Sequence, residues 1–360
     1  MTKAGTPYRV AVVIRENGGF RFEIRQQILQ KLGPHDVLLR LSASGICGTD
    51  IGLASGHAGP SREILGHEGV GYVVEIGSQV PADLVSIDDR VGVAWIRDIC
   101  GKCQCCLLPG GETRCRRQKN SGRAVDGTFA EYAVVPTSYI IRLPKEIDLP
   151  DAIIAPMLCG GVTAYKALKE ANVNAGQWVV VSGAGGGVGA LATQFGRALG
   201  ARVIAIDAGD AKRRFCLEQG AEAYIDYTSG SDLVKEVYRI TKGLGASAAI
   251  VAATSSPAYE SALQSLGVFG TLVSIGIPRA ADFATYHPRV LIDKGIRVTG
   301  SGVGTRGDML TALDFVQRKL VTPRIQIVRL EQLNEVVENF PQVTGKYVIN
   351  LADSPQQARL

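Results

Sequence analysis

The stretch Trp178-Val-Val-Val-Ser-Gly183-Ala184-Gly185-Gly186-Gly187-Val188-Gly189 opens the reading of the fold. Four apolar residues of strand length run into a glycine-rich turn, and an amphipathic segment, Gly189 to Leu199, follows it. Two overlapping frames approximate the dinucleotide fingerprint: Gly185-x-Gly187-x-x-Ala190, and Ala184-x-Gly186-x-x-Gly189 with alanine in first place. Such glycines let backbone amides approach a pyrophosphate at the positive end of a helix. Gly185, Gly186, Gly187, Val188 and Gly189 are therefore candidate cofactor contacts. A turn alone would be weak support. Eighteen residues after Gly189, however, Asp207 ends a second apolar run, Val203 to Ile206, where a carboxylate would hold ribose hydroxyls. A 2′-phosphate would be repelled there, so NAD(H) is expected over NADP(H). Lys212, Arg213 and Arg214 are the counter-argument, read here as the solvated face of the next helix.

Outward from this turn the texture divides. Beyond about residue 160, apolar runs at Val179 to Ser182, Val203 to Ile206, Ala248 to Val251 and Thr271 to Ile275 alternate with helical segments, the pattern of a doubly wound parallel sheet. Before it, short β-like runs such as Val37 to Ser42, Gly71 to Ile76, Arg90 to Trp95 and Glu131 to Val135 are broken by Gly and Pro. A helix is expected over Asp308 to Leu320, then a β-like ending, with Ser354 to Leu360 frayed.

Composition bounds the class. The 360 residues include 43 glycines without a collagen period, are 46% apolar and carry a net charge of +5. That excludes fibres and disorder and gives no general case for nucleic acid. No apolar run is long enough for a membrane span, and Met1 to Val10 has no signal-peptide pattern, so a cytoplasmic protein is expected.

The eight cysteines are concentrated. Cys100, Cys103, Cys106 and Cys115 read as C-x2-C-x2-C-x8-C, a spacing that lets one loop deliver four thiolates to a structural zinc. Cys105 breaks the spacing and is left as a spare thiol. The basic run Arg114, Arg116, Arg117, Lys119 and Arg123 is expected to decorate this lobe rather than to bind RNA. Cys47 in Ser44-Gly-Ile-Cys-Gly-Thr-Asp50, His67 in Gly66-His-Glu-Gly69 and Cys159 in Leu158-Cys-Gly-Gly161 each lie among glycines beside polar groups. Cys2His is a ligand set that catalytic zinc uses, but sequence distance alone does not group these three.

Gly66-His67-Glu68-x2-Gly71-x5-Gly77-x2-Val80, the cysteine lobe, Asp126-Gly-Thr-Phe-Ala-Glu-Tyr132 and Cys159-Gly-Gly-Val-Thr163-Ala-Tyr165-Lys-Ala-Leu168 resemble, in order, the zinc-dependent medium-chain alcohol dehydrogenases, particularly their yeast-type branch. The resemblance spans residues 8 to 350. It implies an α/β protein: a GroES-like β-rich catalytic domain (1–158, with the zinc lobe at about 97–116), a Rossmann doubly wound parallel-sheet domain (159–299), and a return to the catalytic domain (300–360). It implies two zinc ions per chain, one structural and one catalytic on Cys47, His67 and Cys159. Thr49 would accept the alcohol proton, and Asp50 and Glu68 would support the site, Glu68 or Asp50 also being an alternate ligand. Thr163, Gly276 and Ile277 would seat the nicotinamide, with Arg306 and Lys346 near the cofactor, Lys346 standing where relatives often carry arginine. Lys212, within sequence reach of Asp207, is a further cofactor candidate. A homotetramer is favoured, taking small alcohols, aldehydes or ketones, with no nucleic-acid or membrane partner.

Two departures bear on substrate. Gly52 stands where many relatives have a relay histidine, leaving water, the ribose hydroxyl or a group such as His57 for that work. Ala54 and Ala58 stand where ethanol-specific relatives have tryptophans, leaving Trp95 as a wall and implying a pocket for larger primary or secondary alcohols. A metal-free quinone or enoyl reductase of the same superfamily, or a non-catalytic zinc and nucleotide-binding protein, are the competing readings. The ligand trio argues against both.

Overall fold

The computed structural model describes residues 4–16 and 18–352. The segment Ser354 to Leu360 lies outside them. Around the glycine turn the strands form a six-stranded sheet in the order Ala223–Asp226, Arg202–Asp207, Trp178–Ser182, Ala246–Val251, Leu266–Ser274 and Arg297–Gly300, every pairing parallel. Val179, Val180, Val181, Ala248, Ala249 and Ile250 are wholly buried, because helices cover both faces and leave no solvent side for alternation. The chain order reverses between Trp178–Ser182 and Ala246–Val251, which creates a crevice at the carboxyl ends of the strands.

A second large sheet has seven strands. Ile325–Arg329 and Lys346–Asn350, from the end of the chain, extend it beside Asp36–Ile46, Gly69–Ile76, Arg90–Val93 and Ile141–Arg142, with Tyr132–Pro136 paired to Asp36–Ile46. Tyr347 pairs antiparallel with Ile46, so the last strand is stitched directly to the strand that delivers Cys47. The hairpin Pro7–Glu16/Gly19–Ile28, absent from the sequence reading, closes over this half. The periodic helices appear at Gly187–Ala198, Gly209–Glu218 and Arg306–Gln317. Gly160–Ala171, with Val162, Ala164 and Ala167 wholly buried, packs between the two halves and begins immediately after Cys159.

Candidate active site

Three local devices converge on one buried point. Cys47 leaves the strand Asp36–Ile46 and caps the helix Gly48–Ala54, its amide donating to Asp50 Oδ2 at 3.0 Å. His67 follows Gly66, whose φ of +96° and closeness to Phe129 and Thr128 leave no room for a side chain. Cys159 occupies the kink, at φ −130° and ψ −70°, between a short 3-10 turn and the helix Gly160–Ala171. One ligand atom each from Cys47, His67, Glu68 and Cys159 lies within 4.8 Å of the others, and all four residues are buried. The chain thus brings together the trio that spacing alone could not group.

The hydrogen bonds give these residues a direction. Asp50, wholly buried, accepts at Oδ1 from the Gly66 amide (3.0 Å) and meets His67 Nδ1 at 2.9 Å. His67 Nε2 is left buried without a partner, the atom a metal in this pocket would take. Two thiols and an imidazole around an unpaired nitrogen fit a zinc ion with one position left over. Burial works against a charged His67, but the Asp50 carboxylate and the Cys47 sulfur together outweigh it and lift the imidazole pKa well above its usual value. The Cys159 thiol, hydrogen-bonded to Cys47 and raised by that hydrogen bond and by burial, leaves Cys47 as the thiolate of the pair.

Glu68 adds a fourth group behind the trio. Burial lifts its carboxyl to about 7, and the Lys346 ammonium, bonded to Oε1, pulls the other way. Lys346 is itself buried, and Glu68 is what keeps its charge in place. Its stem passes Gly187: a methyl there would come within 2.5 Å of Lys346 Cδ. One lysine therefore connects the carboxylate beside the ligand trio to the first turn of the glycine-loop helix.

That helix, Gly187–Ala198, is capped by Gly186. A Cβ on Gly189 would fall 2.1 Å from the Gly183 carbonyl, which is how closely helix and strand approach. Asp207 ends its strand beneath the loop and accepts from the Gly185 amide (2.8 Å), the Ala208 amide (2.9 Å) and Lys212 Nζ (3.0 Å). Gly276 abuts Ala253, and Ala253 in turn abuts Gly183, so Gly276 and the loop share the crevice edge. Ile277 beside it is 78% exposed, and Thr163 lies one turn into the helix after Cys159. Arg306, also expected near the cofactor, lies among other partners. It stacks on Tyr139 and pairs with Glu112, and none of its hydrogen bonds reaches the glycine loop.

The second thiol group lies apart. Cys100, Cys103, Cys106 and Cys115 have sulfurs 3.5 to 4.0 Å apart in the pairs that touch, close to the edge of about 3.8 Å that a tetrahedron with 2.3 Å zinc–sulfur bonds requires. No disulfide links them. The Lys102 amide and Arg117 draw the Cys100 thiol down to about 5, whereas burial pushes Cys106 up to about 12. Cys105 stays outside the group.

Around the pocket, Thr49 is half-buried two residues after Cys47, and Gly52 faces Ala58. His57 is exposed and its Nδ1 meets Ser55 Oγ at 3.1 Å. Ala54 is wholly buried in the core, so of the two alanines only Ala58 remains partly exposed. The Trp95 and His67 rings form a T-shaped pair with centroids 5.3 Å apart. Arg123, grouped in the sequence with the basic run of the zinc lobe, instead lies over Trp95 at 5.4 Å and donates to the Ala58 carbonyl. Its sequence neighbours gave no signal of this.

Comparison with known proteins agrees with this geometry. The family described as "Alcohol dehydrogenase GroES-like domain" matches residues 33–145, and "Zinc-binding dehydrogenase" matches 187–318. The chain is 39% identical to an alcohol dehydrogenase of Geobacillus stearothermophilus over 92% of its own length and 96% of the relative's. It is 38% identical to alcohol dehydrogenase 1 of Emericella nidulans, covering 94% and 97% of the two chains. The solved alcohol dehydrogenase of Aeropyrum pernix superposes with a TM-score of 0.84 at 27% identity, covering 95% of this chain and 99% of that one.

Proposed function

The chain belongs to the zinc-dependent medium-chain alcohol dehydrogenase family and is an alcohol oxidoreductase, and within that class we propose that it moves hydride between primary or secondary alcohols and NAD, with one zinc on Cys47, His67 and Cys159 and a second on Cys100, Cys103, Cys106 and Cys115. The observation that carries the reading is the buried, unpartnered His67 Nε2, aimed between two thiols by the Asp50 bond to its other nitrogen. Zinc bound there supplies Lewis acidity toward an alcohol or carbonyl oxygen.

The residues divide the remaining work. Asp50 fixes the His67 tautomer and orientation. Thr49, two residues from the ligand Cys47, takes the hydroxyl proton and passes it to water or a cofactor ribose, since Gly52 offers no side chain. Gly185 to Gly189 receive the pyrophosphate, with Lys346 at their edge. Asp207, already ordered by the Gly185 amide, receives the adenosine ribose hydroxyls and disfavours a 2′-phosphate. Lys212 lies against Asp207 and needs no phosphate to be satisfied. Thr163, Gly276 and Ile277 seat the nicotinamide. Arg306 acts through Glu112 and Tyr139.

The domain limits that follow are 1–158 and 300–360 for catalysis and 159–299 for the cofactor. A homotetramer in the cytoplasm completes the reading. Supporting the assembly, the edge strand Arg297–Gly300 has its outer side unpaired among the described residues, beside exposed Phe269, Ile292 and Val298. Steady-state kinetics with both cofactors, on a ladder from ethanol to benzyl alcohol, tests the function. We expect a higher kcat/KM with NAD and an optimum beyond ethanol. Preference for NADP, or an optimum at ethanol, would overturn the corresponding part.

A further inference from the structure

Arg123 has no function in the account above, yet it stands one aromatic ring away from His67. Its guanidinium covers Trp95 at 5.4 Å, and the Trp95 and His67 rings meet in a T-shaped pair with centroids 5.3 Å apart. A hydrogen bond to the Ala58 carbonyl ties it to the Ser55–Ser61 segment, the same segment whose alanine replaces a bulky wall. No carboxylate pairs with Arg123 among the described residues. Arg15 behaves similarly on the same segment, donating to the Leu53 and Ala54 carbonyls and to Ser61, again with no carboxylate partner. The neighbouring Arg62 is neutralised by Asp126 at 2.9 Å. The segment Leu53–Ser61 therefore holds two guanidiniums that only neutral oxygens satisfy, one of them over Trp95, and a guanidinium over an aromatic ring keeps in-plane donors for a planar anion.

We propose that Arg123 recognises a carboxylate carried by the substrate, so that the preferred class is an alcohol or aldehyde with a carboxylate at the end remote from the reacting carbon. The inference rests on the dehydrogenase reading and names the substrate class of the same site. Hydride transfer is unaltered by it: the carboxylate binds without reacting, and its charge is held while the hydroxyl end occupies the position beside His67. The alternative is a purely structural clamp between Ala58 and Trp95. That role is blind to substrate charge.

The test compares 4-(hydroxymethyl)benzoate with 4-isopropylbenzyl alcohol, which share the reacting carbon and a three-heavy-atom para group but differ in charge. The expected ratio of their kcat/KM values is about tenfold or more in favour of the carboxylate, the worth of a charge-assisted hydrogen bond. The ratio should fall towards one in Arg123→Met, be retained in part in Arg123→Lys, and shrink as ionic strength rises. A ratio near one in the wild type, or one that Arg123→Met leaves intact, would overturn the inference. Failure of these two and of every alcohol on the ladder from ethanol to benzyl alcohol to reduce NAD would overturn the NAD-linked reading itself. Activity on the ladder with a ratio near one overturns only the inference about Arg123, so the two failures are distinguishable.

Discussion

At the scale of single residues, the site is a chain of orientation. Asp50 touches no reacting atom, yet it accepts from the Cys47 amide, the Gly66 amide and His67 at once. Asp50→Asn removes the charge that favours this arrangement, and we expect zinc affinity at the Cys47 site to fall by about 10- to 100-fold, as for other partners of metal-bound histidines. Competition with a chromophoric chelator checks this, and unchanged affinity would deny Asp50 its role. The trio itself was visible in the sequence only through resemblance. Cys47 and Cys159 are 112 positions apart, and only the topology brings them together. Arg123 was the opposite case. It was assigned by its neighbours to the zinc lobe, and its reach to Trp95 depends on a turn the sequence does not announce.

At the scale of elements, the glycine turn was legible because its constraint is local. Gly189 is required by contact with the Gly183 carbonyl, and Gly189→Ala should push the helix from its strand. We expect KM for NAD to rise at least about tenfold with a loss of about 1–3 kcal/mol in stability, the usual cost of overpacking. Titration of cofactor binding together with denaturant unfolding would check both. The helix Arg306–Gln317 offers a pH test. Burial opposes the Asp308 carboxylate, but the Thr305 amide and hydroxyl and the Lys169 ammonium outweigh it, holding its pKa below the ordinary range. A group depressed in the folded state stabilises above its unfolded pKa and loses that contribution as pH falls through the folded one. Asp308→Ala should therefore cost about 1 kcal/mol at neutral pH, as a lost cap does, and the gap should close in acid as pH falls through the depressed pKa of the Asp308 carboxylate. Thermal unfolding across pH measures it. The hairpin Pro7–Glu16/Gly19–Ile28 was missed because its partly buried strands alternate too weakly to stand out.

At the scale of the whole molecule, the two halves depend on each other through a few long-range links. The carboxyl-terminal strand joins the catalytic sheet, and its first residue, Lys346, bridges Glu68 and the glycine-loop helix. The resemblance implied that return, whereas the buried ion pair required the fold. The exposed edge strand makes a second prediction at this scale. Val298→Glu should shift the assembly toward smaller species in light scattering, and an unchanged mass would remove that edge from the interface. The central claim is that one chain holds a catalytic zinc apart from a structural one. Elemental analysis of the purified protein and of Cys159→Ala tests it most directly. The account predicts two zinc ions per chain falling to one, with NADH formation lost; a wild-type chain holding one zinc, or a variant that keeps two, would contradict it.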